Sequence, residues 1–66
     1  MTVRKMPHRL RAWRTRRGLT QKQLAALAKV SHGYLARLER GRQDPTLGTL
    51  EKLARGLRIT IAQLVE

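Results

Sequence analysis

A histidine and three arginines, His32, Arg37, Arg40 and Arg42, fall within the short stretch HGYLARLERGR, residues 32–42. Their chemistry is hydrogen-bond donation to acceptor-rich or anionic partners. A guanidinium is a planar fork that matches phosphate oxygens or the O6 and N7 atoms of guanine. Bond-making chemistry lacks support here. The chain has no cysteine, and its two histidines, His8 and His32, stand too far apart in sequence for usual zinc-ligand spacing. No pair of carboxylates shares a helical face near a histidine, and no glycine-rich loop follows a strand. The chain is therefore expected to recognise a partner without a cofactor, and not to be an enzyme.

Gly33 lies in the same stretch, immediately after the first residue of a helix that Ser31 is suited to cap. Glycine there costs roughly 0.5–1 kcal/mol relative to alanine. On a helical wheel of about 100° per residue, His32, Ala36, Arg40, Gly33 and Arg37 occupy roughly 0–140°. Val30, Tyr34, Leu38 and Leu35 occupy roughly 160–300° of the same wheel. One face is apolar and can pack; the other is small or basic. Gly33 and Ala36 would let the backbone approach base edges, with His32 and Arg37 reaching for them, whereas a solvent-exposed face with a tolerated glycine is the plainer alternative.

The surrounding elements follow from capping signals. Pro7 suits the first turn of a helix carrying Leu10 and Trp13, which Arg16, Arg17 and Gly18 close. TQKQ, residues 20–23, is a capping box opening a second helix with Leu24, Leu27 and Ala28 on one face. That helix ends near Lys29, and the third runs from Ser31 to Gly41. After a polar loop, RQDP, Thr46 caps a fourth helix bearing Leu47, Leu50, Leu53, Ala54 and Leu57. TIAQ, residues 60–63, is a second capping box, opening a short fifth helix with Ile61 and Leu64. No stretch alternates with a period of two, so the expected class is all-α. Only Lys29, Val30 and Ser31 separate the second and third helical bodies, which is helix-turn-helix spacing.

The chain's 66 residues allow one domain, and a chain this short buries only about 60% of its unfolded surface. Without cysteine, neither a disulfide nor a thiolate-bound metal supplements the core. No apolar run approaches the roughly 20 residues of a membrane span, and no apolar stretch follows Arg4 and Lys5 as a signal peptide would require. The formal net charge is +11. Residues 1–17 hold seven basic residues, Arg4, Lys5, Arg9, Arg11, Arg14, Arg16 and Arg17, and no acidic one. Such an imbalance points to a polyanion, nucleic acid before an anionic membrane or an acidic protein.

The stretch RGLTQKQLAALAKVSHGYLARLERGRQDPTLGTLEKLARGL resembles the phage-repressor and Cro-type helix-turn-helix domain of bacterial regulators. GLTQ with its Leu–Ala pair, VS before the third helix, LERG closing it and PTLGTL opening the fourth carry the likeness, which extends over residues 9–65. The resemblance implies a compact, lambda-repressor-like five-helix bundle over residues 9–66, preceded by a basic arm over residues 1–8 that could be mobile. It implies a cytoplasmic, nucleoid-associated transcriptional regulator of bacterial or phage origin, a repressor in preference to an activator. Such a regulator reads double-stranded DNA in the major groove, as a homodimer on a palindromic operator, with Ile61, Leu64 and Val65 as candidates for the dimer contact. Carried onto this chain, His32, Gly33, Ala36 and Arg37 would face bases. Gln21, Tyr34, Arg40 and Arg42 would face phosphates, and Arg14 and Glu39 would form a structural ion pair.

Three positions depart from the family pattern. Lys29 and Arg58 stand where glycine is common. Gly56 replaces a usual alanine and is expected to end the fourth helix early. Trp13 replaces leucine and brings an indole N–H that needs a partner. An antitoxin or an adaptor that uses the same scaffold to bind a protein is the alternative function.

Overall fold

The computed structural model describes residues 4–66, so the first three residues of the expected arm lie outside the described residues. The helices are α1 (Met6–Arg16), α2 (Gln21–Ala28), α3 (His32–Glu39), α4 (Leu47–Leu57) and α5 (Ile61–Val65), with no strand among the described residues. Four start at a hydroxyl side chain that accepts from the backbone N–H three residues on: Thr20, Ser31, Thr46 and Thr60. Thr20–Gln23 and Thr60–Gln63 complete reciprocal capping boxes, each satisfying two otherwise orphaned amides. α1 begins inside the segment read as an arm, and Met6 is buried in the core.

α1 packs on α3 and α5, α2 on α3 and α4, and α4 on α5. The shared core holds Met6, Leu10, Leu24, Leu35, Leu38, Leu50, Leu53, Leu57 and Leu64, with Ala25 and Ala28 where α2 approaches its neighbours. Two of the expected core leucines are not in it: Leu27 is 56% exposed and Leu47 59%. Taking Leu24 as zero, Leu27 lies about 60° to one side while Ala28 and the buried Ala25 lie about 40° and 100° to the other. α2 is rolled toward its alanines. Leu47 is the first residue of α4, where Thr46 and Gly48 are exposed as well.

Gly56 does not end α4, which continues to Leu57. A Cβ at Gly56 would stand 3.3 Å from Leu24 Cδ1 and 3.5 Å from the Ala28 backbone nitrogen. This glycine therefore permits the close approach of α2 and α4. The ends of those two helices are set by Lys29 (φ 58°) and Arg58 (φ 59°), both left-handed as glycine would be. Their N–H groups bond back to Ala26 and Arg55 carbonyls, and a cation favours a helix C-terminus.

Candidate nucleic-acid interface

The left-handed Lys29 reverses the chain after α2, and Val30 N–H donates to Ala25 O at 3.0 Å. Ser31 then starts α3 at once, so the helix emerges from a three-residue turn. Leu35, Leu38 and Glu39 are buried beneath it, while His32, Gly33, Arg37 and Arg40 are exposed and Ala36 is half-buried. The expected base-facing set thus shares the outward side of α3. Arg42 follows on the exposed loop, its backbone N–H bonded to Arg37 O at 2.9 Å.

A polar chain anchors this helix from beneath. Glu39 is 4% exposed and receives Arg14 Nε at 2.7 Å on Oε2 and Arg14 Nη2 at 3.1 Å on Oε1. Arg14 also donates from Nη1 to Leu19 O at 2.9 Å, and Arg11 Nη2 donates to Glu39 O at 3.2 Å. A carboxylate this deeply buried requires such compensation. From α2, Gln21 Nε2 donates to Glu39 Oε1 at 3.2 Å, and Gln21 Oε1 lies 3.1 Å from His32 Nε2. Gln21, expected on a phosphate, is therefore already engaged on two sides within the protein, with one amide hydrogen and its backbone N–H left over.

Arg37 lies over Tyr34, its guanidinium carbon 5.9 Å from the ring centroid, and its Nε approaches Gln43 Oε1 at 3.5 Å. A Cβ at position 33 would sit 3.6 Å from Arg37 Nη1, an ordinary contact, so the Arg37 guanidinium does not itself require glycine there. The Tyr34 hydroxyl, expected on a phosphate, donates to Thr49 Oγ1 at 3.3 Å, and Thr49 Oγ1 is 3.0 Å from Thr46 Oγ1.

The basic residues in and beside α1 divide into two groups. Besides Arg11 and Arg14, Arg17 is bonded within the protein, donating from Nε to Leu57 O at 2.8 Å at the end of α4. These internal roles for Arg11 and Arg17 escaped the sequence reading, because their carbonyl acceptors lie 28 and 40 residues away. Arg4, Lys5, His8, Arg9 and Arg16 instead line a cleft of about 630 Å³ with Ala12 and Trp13. Trp13 Nε1 donates to Gln63 O at 3.2 Å, which gives the indole the partner it needs and ties α1 to α5. Among the described residues no helix is long and apolar enough to cross a membrane, and no three metal-ligating side chains gather.

A short α2, a three-residue turn and an exposed, basic α3 on a small helical core define a helix-turn-helix domain. Residues 10–64 match the helix-turn-helix family model, and the chain belongs to that family. It is 47% identical over 62 residues to the HTH-type transcriptional regulator DdrOP3 of Deinococcus deserti, covering 94% of this chain and 48% of the relative. It is also 47% identical over 57 residues to the immunity repressor protein of Bacillus phage phi105, covering 86% of this chain and 40% of the relative. The chain thus spans less than half the length of these two curated relatives. Among solved structures, the restriction-modification controller protein C.AhdI from Aeromonas hydrophila matches with a TM-score of 0.89 and 38% identity, over 91% of each chain.

Proposed function

We propose that this chain is a sequence-specific reader of double-stranded DNA in a transcriptional regulator, acting as a repressor, with α3 in the major groove. The observation that carries the reading is the outward side of α3. It combines a side-chain-free approach at Gly33 with the exposed donors His32, Arg37 and Arg40, above a buried ion pair that fixes the helix. His32, Gly33, Ala36 and Arg37 face bases. Arg40 and Arg42 face phosphates, joined by the remaining donors of Gln21 and, after release from Thr49, the Tyr34 hydroxyl. The names of the two curated relatives support regulation, and that of the phage relative supports repression.

One α3 spans only a few base pairs, so the functional unit is a homodimer on a palindrome with half-sites about one helical turn apart. Leu64 is fully buried in the monomer core, which leaves the half-buried Ile61 and Val65 of α5 as the dimer candidates. The test is selection of bound sites from random duplex DNA, followed by affinity for the selected site across a salt series. Enrichment of a dyad-symmetric site is expected. With Arg11, Arg14 and Arg17 bonded within the protein, about three to five phosphate contacts per protomer remain, giving a log–log salt slope of about −2.7 to −4.5 per protomer. No enriched sequence, or an affinity indifferent to salt, would overturn the reading.

A further inference from the structure

The side-chain amide of Gln21 links the buried carboxylate of Glu39 to the ring of His32. We propose that Glu39 and Gln21 hold the neutral His32 as its Nε2–H tautomer, so that Nδ1 offers an acceptor to the major groove and reads an exocyclic amino group, N4 of cytosine or N6 of adenine. The inference deepens the reading of α3 as the base-contacting helix and rests on it.

Each step follows from donor and acceptor capacity. Both Glu39 oxygens can only accept, and Oε1 already takes Arg14 Nη2 when Gln21 approaches it at 3.2 Å. An amide oxygen at that distance would meet a carboxylate oxygen, acceptor against acceptor, so Gln21 must present its NH₂. The Gln21 oxygen is then the end that faces His32 Nε2, at 3.1 Å. Since an amide oxygen accepts only, Nε2 must carry the hydrogen, and the neutral ring keeps its lone pair on Nδ1. His32 is exposed on the outward side of α3, and among the described residues its only hydrogen-bonded partner is Gln21.

In the major groove the only donors on base edges are the amino groups of adenine and cytosine. Guanine O6 and N7 and thymine O4 would oppose Nδ1 with a second lone pair. Arg37 has the opposite character, a donor fork suited to guanine. Nε is the Arg37 nitrogen occupied by Gln43, which leaves the Nη pair for that contact. The helix therefore offers an acceptor at its first residue and a donor further along. Gln21 is the positioning residue for the acceptor; it acts through His32 and needs no contact with the base itself.

Long-range proton–nitrogen correlation on the free protein at pH 8 reads the tautomer directly, and should show His32 protonated at Nε2 alone. In Gln21→Ala, which leaves the Arg14–Glu39 pair in place, the two ring-nitrogen shifts should move toward each other as the tautomers mix. Site selection at pH 8 should favour cytosine or adenine opposite His32 by roughly three- to tenfold. That preference should fall below about twofold in Gln21→Ala and turn toward guanine or thymine in the donor-only variant His32→Lys, with the Arg37-facing base unchanged. An Nδ1–H ring in the parent protein, or guanine or thymine selected opposite His32, would overturn the proposal. So would an unaltered tautomer and preference in Gln21→Ala. Preference retained opposite Arg37 with none opposite His32 overturns this inference alone; loss of preference at both overturns the reading of α3 together with it.

Discussion

Replacing Glu39 by alanine removes three hydrogen bonds from one buried carboxylate: two from Arg14 and one from Gln21. The Arg14 side chain is 17% exposed and retains only its bond to Leu19 O, so most of its charge is left uncompensated. Breaking a buried pair in this way costs about 3–5 kcal/mol. A chain of 66 residues has a total stability of only about 3–10 kcal/mol, so the variant should be close to unfolding. At roughly 4–8 °C per kcal/mol for a domain of this size, even the lower figure lowers Tm by about 12–24 °C. Thermal and urea unfolding followed by far-UV circular dichroism measure this directly. Arg14→Ala and the double variant complete a thermodynamic cycle, in which the second substitution should cost far less once the first is made. A Glu39→Ala protein that melts within about 4 °C of its parent but selects a different DNA site would refute the structural role of Glu39.

Four further outcomes follow from the geometry. Arg37→Ala should weaken the selected site by roughly 1–3 kcal/mol and relax one base pair per half-site, with little change on random DNA. Arg42→Ala should weaken selected and random DNA alike and reduce the salt slope by about one; paired titrations on both DNAs separate the two arginines. Lys29→Gly and Arg58→Gly, at the left-handed helix ends, should each raise unfolding free energy by roughly 0.5–1 kcal/mol in urea titrations, since only glycine adopts that backbone without a steric penalty. Arg17→Ala, which releases the Leu57 carbonyl at the end of α4, should lower stability by about 1–2 kcal/mol without altering which DNA site is selected.

Most helix limits were legible because they are local. Thr20, Ser31, Thr46 and Thr60 each declare a helix start through a bond only three residues long, and the leucines of α4 repeat with the helical period. The outward side of α3 was legible for the same reason. What the sequence hid is long-range. Arg11 and Arg17 look like further members of a basic arm until folding brings the Glu39 and Leu57 carbonyls to them. Gly56 reads as a helix breaker until Leu24 and Ala28 press against it from α2. Leu27 reads as core because hydrophobicity alone cannot show that Ala25 takes the inward place. Gln21 suits a phosphate by position, and only its distances to Glu39 and His32 reveal its work inside the protein.

Trp13 is the chain's one tryptophan, and its indole hydrogen reaches Gln63 O from α1. The guanidinium carbons of Arg16 and Arg17 stand 4.9 and 5.4 Å from its ring centroid. The molecule therefore carries a built-in optical gauge at the seam between its first and last helices, on a residue outside the proposed DNA contacts. Its emission should report whether α5 is docked. Undocking would free the indole N–H to water, and a red shift of the emission is the expected label-free signal of it. Recorded during DNA titration and during dilution of the protein, the same light distinguishes events at α3, which should leave it unchanged, from events that pass through α5.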